Sequence, residues 1–495
     1  MKTAALQVLS PLEVETIHNT SMQILQEVGI KVEFPFARKL FADAGAKVDE
    51  KRETVYLPEK VLLDAVRQAP ASFRLCGRDV AAFSMTVGGD QVQFAGLGTP
   101  TRIIDNATGE IRPTTAQDMH NHIVLVDACK YIHNTQMDVW PNDISMTTIH
   151  TEAIYDWAHN SKKSFGLGCY GYLPTLDMMR MMAIAVGGKE ELRKNPRFMA
   201  ICSVLSPLQM ATIQIEGLLV CADYGQPVAV SPEAIAGATA PVTLAGLLAQ
   251  ENAAILAHIA LAQIFRPGAP VMYGTVSTIA NMRHGTVALG SIETGLITAA
   301  SAQLAQYYGL PTRSVGGTTE AKVEDVQAGM ERTQTLMPAV LAGVNMITCA
   351  GTLDGSMIES DAQLLLDDEL CGSMLRMRRG IEVNNDTLAL DLIRKNGYWG
   401  NYLAEEHTAQ NFRKEHYIPL LFVRDPFETW QEKGGRNALA LAREKVAKIL
   451  DSHQPQVLVA AIEQGLQEYR VMVANRSMDE FYAGEDPETQ DYETL

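Results

Sequence analysis

Aromatic side chains are scarce in this chain, 6% of 495 residues, and its cysteines never fall at metal-ligand or disulfide-framework spacing. Cys76, Cys129, Cys169, Cys202, Cys221, Cys349 and Cys371 are odd in number and far apart, with no C-x-x-C pair. That argues against a zinc ribbon or a disulfide scaffold and reads most of them as small buried hydrophobes. A metal site built from distant thiols is the remaining alternative. With no H-E-x-x-H and no clustered histidines, no structural zinc is expected. An uninterrupted apolar run long enough to span a bilayer is also missing. Glu13 and Glu15 follow the N-terminal Met-Lys-Thr-Ala-Ala-Leu-Gln too closely for a signal peptide. No membrane is expected, and a cytoplasmic location is the default. Basic charge is in deficit, with a net charge of −17 and a pI near 5.1. Such a chain repels phosphate backbones, so no nucleic acid partner is expected. Asp479 to Leu495 holds seven acidic residues and no basic one, which reads as a solvated, partly disordered tail.

What is present is a globular composition, 47% apolar and 20% charged, at a length above the usual single domain. Residues 1–90 read as a small α/β cap. Ser10-Pro11-Leu12-Glu13 has the N-cap, the N1 proline and the capping-box acid of a helix start, and Gly29 stops that helix. A helix around 37–44, a strand at 55–57 and a helix around 58–67 complete the cap.

From residue 91 to 380 short β-branched or apolar runs alternate with longer helical stretches. Strands are predicted at 92–95, 135–140, 164–169, 198–204, 227–230, 271–276, 312–316 and 346–350. Helices follow near 116–129, 145–161, 174–186, 207–222, 242–265, 286–308, 326–342 and 361–379. Eight strands, each followed by a helix, predict a parallel (β/α)8 TIM barrel. Residues 381–495 read as a helical C-terminal extension that wraps the barrel or flanks its mouth. The predicted loops after the strands are rich in Gly, Ser, Thr and Pro, and they fall on the rim where such barrels build their sites.

Several segments in one order carry a likeness. They are Leu9-Ser10-Pro11-Leu12-Glu13, Ile24 to Ile30, Leu57 to Val61, and Ala69 to Phe73 leading to Gly77-Arg78-Asp79. Gly316-Gly317-Thr318-Thr319-Glu320-Ala321-Lys322 follows, then Asp325 to Glu331, and finally Glu406-His407-Thr408 with Phe412. Together they resemble the trimethylamine methyltransferase superfamily, whose trimethylamine enzymes carry a pyrrolysine in the barrel. This chain uses only standard residues, so it resembles the non-pyrrolysine branch associated with quaternary amines such as glycine betaine, proline betaine or carnitine. The resemblance implies methyl transfer to the Co(I) of a separate small corrinoid protein. No cofactor is then bound by this chain itself, and the corrinoid (cobalamin) comes from the partner. A homo-oligomer is expected.

Such a transfer moves no proton, so the protein must orient the cation and expose one methyl in a dry site. A quaternary ammonium has no N–H to donate, and aromatic faces are its natural cradle. Phe94, Trp140, Tyr170, Tyr172 and Tyr273 fall at predicted strand ends or in rim loops, with cage and packing both open for each. Trp399 and Tyr402, near His407, are placed to close over the mouth. Glu320 or Glu359 would attract the cation, or pair with a neighbouring Arg. A substrate carboxylate would be received by Arg283, His284, Arg313, Lys322 or the backbone of the Gly316-Gly317 loop. No catalytic residue is singled out.

Two motifs are set aside. Gly166-x-Gly168-x-x-Gly171 matches a dinucleotide fingerprint, but Gly187-Gly188-Lys189-Glu190-Glu191 stands where a second strand ending in an acid is required, so no bound nicotinamide is expected. Asp118-x-His120-x-x-Ile123 has the outline of a corrinoid-binding signature but lacks its final glycine and reads as helix interior. The alternatives to methyl transfer are a barrel lyase or isomerase using acid–base chemistry, and a non-catalytic betaine-binding protein.

Overall fold

The computed structural model describes residues 6–96, 98–136, 139–486, 490 and 492. Eight parallel strands close a barrel in strict sequence order. They are β1 Gln93–Gly96, β2 Ile132–Gln136, β3 Ser164–Gly168, β4 Phe198–Val204, β5 Val228–Pro232, β6 Val271–Thr275, β7 Thr312–Val315 and β8 Met346–Ala350. The connecting helices are α1 Ala116–Ala128, α2 Ile149–Asn160, α3 Tyr172–Val186, α4 Thr212–Asp223, α5 Leu244–Phe265, α6 Ile292–Tyr308, α7 Val326–Ala342 and α8 Asp361–Arg379. This is the (β/α)8 barrel that the alternation predicts.

One strand is displaced from its prediction. β2 ends at Gln136 rather than spanning 135–140, and Trp140 lies in the following loop, its N–H donating to the Pro100 carbonyl at 2.9 Å. Polar residues disguise this strand in the sequence. Asn134 faces into the barrel, where its Oδ1 accepts from Ser164 Oγ at 2.7 Å.

The N-terminal end of the barrel is plugged. A hairpin of Ser72–Cys76 and Ser84–Gly88 lays Leu75, Met85 and Val87 against Ala95, Met199, Ala229, Met272 and Met346 from the barrel strands. The Cys76 N–H donates to the Pro196 carbonyl just ahead of β4, which fixes the hairpin to that end. Because side chains alternate along a strand, Met272 and Gly274 face the interior while Tyr273 and Thr275 face the helices. The helix α5 is long and apolar enough to cross a membrane by composition, but 78% of its most apolar window is buried against the rest of the protein.

The first helix, Pro11–Gln23, carries the predicted capping box between Ser10 and Glu13 and packs on α5. The helical C-terminal part covers the barrel wall. Ala438–Ser452 packs on α8 and α1, and Ala460–Ala474 on α3 and α2. Its far end is held by a buried carboxylate, since Asp177 takes a two-pronged contact from Arg476 at 2.7 and 3.0 Å and a bond from the Tyr469 hydroxyl at 2.8 Å.

The acidic tail departs from its prediction at the residues described. The Glu485 carboxylate accepts the Leu173 N–H at the start of α3. Tyr492 is buried and stacks on Phe36, with centroids 5.2 Å apart and planes at 16°. One aromatic ring with an apolar seat outweighs the solvation of its acidic neighbours.

Candidate functional site

A cavity of about 270 Å³ opens at the C-terminal rim of the strands. Its size suits a small molecule rather than a nucleotide. It is lined from every quarter of the barrel, by Gly98 and Thr99 after β1, Leu167, Gly168 and Tyr170 at β3, and Ile201 and Ser203 on β4. Glu233 stands just beyond β5, Val276 beyond β6, and Arg313 on β7 itself, while Gly355, Ser356 and Met357 close in from the hairpin that follows β8.

Two rim sheets shape its walls. Thr352–Leu353 and Ile358–Glu359 join Arg102–Ile104 and Ile111–Pro113 in one, and Ile235–Ala236, Thr278–Asn281 and Thr286–Val287 form the other. Small residues make the room. A Cβ on Gly168 would lie 2.5 Å from the Tyr170 ring, so that ring rests on bare backbone. Gly98, at φ +86°, would meet the Ser356 Cβ at 2.8 Å. Ser356 itself holds φ +77°, a conformation that L side chains adopt at a cost and that clusters at functional sites. Its Oγ is buried and has no hydrogen-bond partner among the described residues.

The charges are layered. Arg313 is the second residue of β7, inside the barrel and buried. Glu233 follows the last residue of β5 and keeps solvent access through the cavity. Burial pushes the Glu233 carboxyl above its ordinary pKa, and the Arg313 guanidinium opposes the rise. Burial also pushes the Tyr170 phenol up, to about 12, so it stays neutral at physiological pH. Among the described residues no group of three or more His, Cys, Asp or Glu is placed to hold a metal ion.

Of the ring residues singled out by sequence, the structure brings two together. Trp140 meets Tyr170 edge-on, and Tyr170 lines the cavity. Phe94 faces the helices, packed with Leu125, Val126 and Ile347 in the core behind β1 and β8. Tyr273 is likewise buried outside the barrel, its hydroxyl donating to Asn252 Oδ1 at 3.0 Å. Tyr172 begins α3 and packs edge-on against Tyr492, under the C-terminal tail.

The other candidates are also scattered. Gly316 and Gly317 lie behind β7, where the Gly317 carbonyl accepts from Arg332, itself paired with Asp367 at 2.7 Å. Glu320 takes the Gly290 N–H at 3.3 Å and stands beside Gly355 without itself lining the cavity. Glu359 is buried beside His122 at 3.2 Å. Arg283 and His284 are exposed on a rim hairpin, and Lys322 is held by Asp354 and the Glu320 carbonyl. His407 sits on the helix Glu406–Glu415, whose end is tied by Glu415 to Arg376 in the last turn of α8. His407, Trp399 and Tyr402 are not among the residues that line the cavity.

Sequence reading passed over Glu233 and Ser356, and placed Thr99 and Ser203 only within loops at the predicted rim. For Glu233 the signal was available, since it directly follows the run Val228-Ala229-Val230-Ser231-Pro232 and so stands at a strand end. The two set-aside motifs serve structure. The Asp118 carboxylate accepts the Thr115 N–H in a capping box and pairs with Arg112 at 2.7 Å, and His120 pairs with Asp156 at 2.9 Å. Gly166 and Gly168 belong to β3, and Gly168 lines the cavity.

The family model described as trimethylamine methyltransferase (MTTB) matches residues 1–478. The glycine betaine methyltransferase of Desulfitobacterium hafniense (strain Y51) is 36% identical over 468 residues, 93% of this chain and 96% of that protein. The trimethylamine methyltransferase MttB of Desulfitobacterium hafniense (strain DSM 10664 / DCB-2) is 34% identical over 458 residues, covering 92% and 91%. Among solved structures, the hydroxylamine MtmB complex superposes with a TM-score of 0.50 at 12% identity, covering 89% of this chain and 92% of that one, a likeness of fold alone.

Proposed function

Because the chain belongs to the trimethylamine methyltransferase family, we propose that this methyltransferase takes its methyl group from a betaine-type quaternary amine and passes it to the Co(I) of a separate corrinoid protein. The observation that carries the choice of donor is the layering of charge in the cavity, with Arg313 inside the barrel and Glu233 at the rim. A betaine has a carboxylate at one end and a permanent cation at the other. With the carboxylate on Arg313, in a charge-assisted contact, the ammonium rises to the level of Glu233 and the Tyr170 ring. One N-methyl then faces the open mouth, the side from which a partner must approach. Trimethylamine has no carboxylate to offer Arg313.

The chemistry asks little else of the protein. As the carbon–cobalt bond forms from the electron pair of Co(I), the carbon–nitrogen bond breaks and its pair stays on nitrogen. The leaving group is a neutral tertiary amine, and no proton has to move. The contribution of Arg313, Glu233 and Tyr170 is therefore to hold N, C and the line of attack in register.

The test is anaerobic, with the purified chain, reduced corrinoid on a small carrier protein, and each amine in turn. Glycine betaine, proline betaine, carnitine or butyrobetaine is expected to give the absorbance of the methylated corrinoid, while choline and trimethylamine give none. No spectral change with any amine sinks the proposal. Saturable betaine binding without transfer would instead identify a binding protein.

A further inference from the structure

The ring that faces the cavity stands on a hinge. Tyr170 is followed by Gly171, at φ +86°, and then by the first residues of α3. Gly171 is the N-cap of that helix, and it has no side chain to receive the first N–H groups. Those groups have no partner within the helix itself, and an uncapped first turn frays. Tyr170 stands just ahead of that turn, so fraying there would carry its ring off the Gly168 backbone.

The missing cap comes from the other end of the chain. Arg476, paired with Asp177 on α3, leads into a helix Met478–Gly484, which starts at a capping box between Ser477 and Glu480. That helix delivers Glu485 to the start of α3, where its carboxylate accepts the Leu173 N–H, 312 residues away in sequence. The Tyr172 N–H also holds this carboxylate, and the helix dipole favours a negative group there. The approach needs two glycines. A Cβ on Gly171 would collide with Glu485 Oε2, and one on Gly484 would lie 2.8 Å from Leu173 Cδ2. Beyond Glu485 the chain is anchored twice more. Gln490 Nε2 donates to Glu216 Oε1 on α4 at 2.9 Å, and the Tyr492 ring meets the Tyr172 ring edge-on at 5.2 Å. Glu485, Gln490 and Tyr492 all lie past residue 478, where the family match ends.

We infer that, with Tyr170 read as a wall of the betaine site, Glu485 is its positioning residue, capping α3 from the far end of the chain so that the ring stays over Gly168. Loss of the cap weakens the hold on the cation without removing any group that touches the substrate.

Amide exchange tests the cap without a ligand, because a helix gives its first N–H groups no internal partner. In the unaltered protein the Leu173 amide is expected to exchange slowly, and in Glu485→Ala about tenfold faster. Exchange at the rate of an unstructured amide in the unaltered protein, or equal rates in both proteins, overturns the inference whichever substrate the cavity takes. Calorimetry reads the consequence. Glu485→Ala is expected to bind glycine betaine about fivefold more weakly, and Glu485→Gln, which keeps an acceptor oxygen, within about twofold of the unaltered protein. Added to Tyr170→Leu, Glu485→Ala is expected to cost no more than about a further twofold, because its effect passes through that ring. Losses that simply multiply overturn the positioning role. Absence of betaine binding in the unaltered protein overturns the choice of donor instead, and the amide exchange then decides for or against the cap.

Discussion

The Trp140 ring meets the Tyr170 ring edge-on, with centroids 5.9 Å apart and planes at 79°. The outer ring fixes the inner one, which lies over the bare backbone of Gly168 and presents to the cavity. Replacing Tyr170 by Leu keeps apolar bulk and removes the quadrupole that attracts a cation. Calorimetry should show betaine binding weakened by about 1–2 kcal/mol, roughly five- to thirtyfold. Trp140→Leu should cost less, because it acts through Tyr170. Equal affinity in the Tyr170 variant would remove that ring from the site.

Tyr273 is the contrasting case. Its hydroxyl bonds Asn252 within the packed layer between β6 and α5, and its ring lies parallel to Tyr308 at 6.4 Å. Tyr273→Phe strands a buried amide oxygen and should lower the unfolding free energy by about 1–3 kcal/mol. Tyr273→Leu also opens space and should cost about 2–4 kcal/mol. Denaturant melts should register both changes while betaine affinity stays within twofold. A selective loss of affinity would mean that the ring reaches the substrate.

These two tyrosines show where the sequence was legible. The alternation of strand and helix located seven of the eight barrel strands, because parallel strands under helices are almost continuously apolar. It failed at β2, where Asn134 and Thr135 place polar groups inside the protein and the apolar signal falls in the next loop. Knowing that a ring ends a strand does not give the face it points to, and one residue of parity separates Tyr273 from Gly274. The cavity residues are polar or small and come from loops distant in sequence, so no local pattern joins Thr99, Ser203, Glu233 and Ser356. Arg313 was found by its charge, without its depth.

Arg313 should discriminate between amines. Arg313→Met preserves much of the side-chain volume and removes the carboxylate partner. Binding of glycine betaine should fall by about 1.5–3 kcal/mol, roughly ten- to a hundredfold, as for other hydrogen bonds to charged groups. Binding of choline, which has no carboxylate, should not fall with it. A parallel loss for both ligands in titration calorimetry would assign Arg313 to the architecture of the mouth.

Glu233 gives the site a pH dependence. Burial raises its folded-state pKa above the ordinary value near 4.5, with Arg313 limiting the rise. Only the carboxylate attracts a quaternary ammonium, so affinity should be full at high pH and fall as pH drops through that raised pKa. Glu233→Gln should bind on the order of tenfold more weakly at pH 8, about 1.4 kcal/mol, with a flat profile across the acid range. An unchanged acid limb in the variant would place the titrating group elsewhere.

A second raised carboxyl should be visible in stability rather than binding. Glu251 on α5 is fully enclosed, its Oε1 accepting from Ser301 Oγ at 2.8 Å and its Oε2 from Thr275 Oγ1 at 3.1 Å. Burial pushes its pKa up to about 7, against an unfolded value near 4.5, because the hydroxyls of Ser277, Ser301 and Thr275 do not repay the lost hydration of a charge. The folded state therefore holds this proton more tightly than the unfolded chain does. The stabilising linkage is complete below about pH 4.5 and is lost progressively as pH rises through about 7. Glu251→Gln keeps the shape and cannot ionise. Its unfolding free energy should be close to that of the unaltered protein near pH 4.5 and exceed it at pH 8 by about 1–3 kcal/mol. Because both proteins share every other titrating group, their difference isolates Glu251 from the general repulsion of an acidic chain. A gap that does not widen between pH 5.5 and 8 would mean that Glu251 stays ionised in the fold and is stabilised by its hydroxyl partners after all.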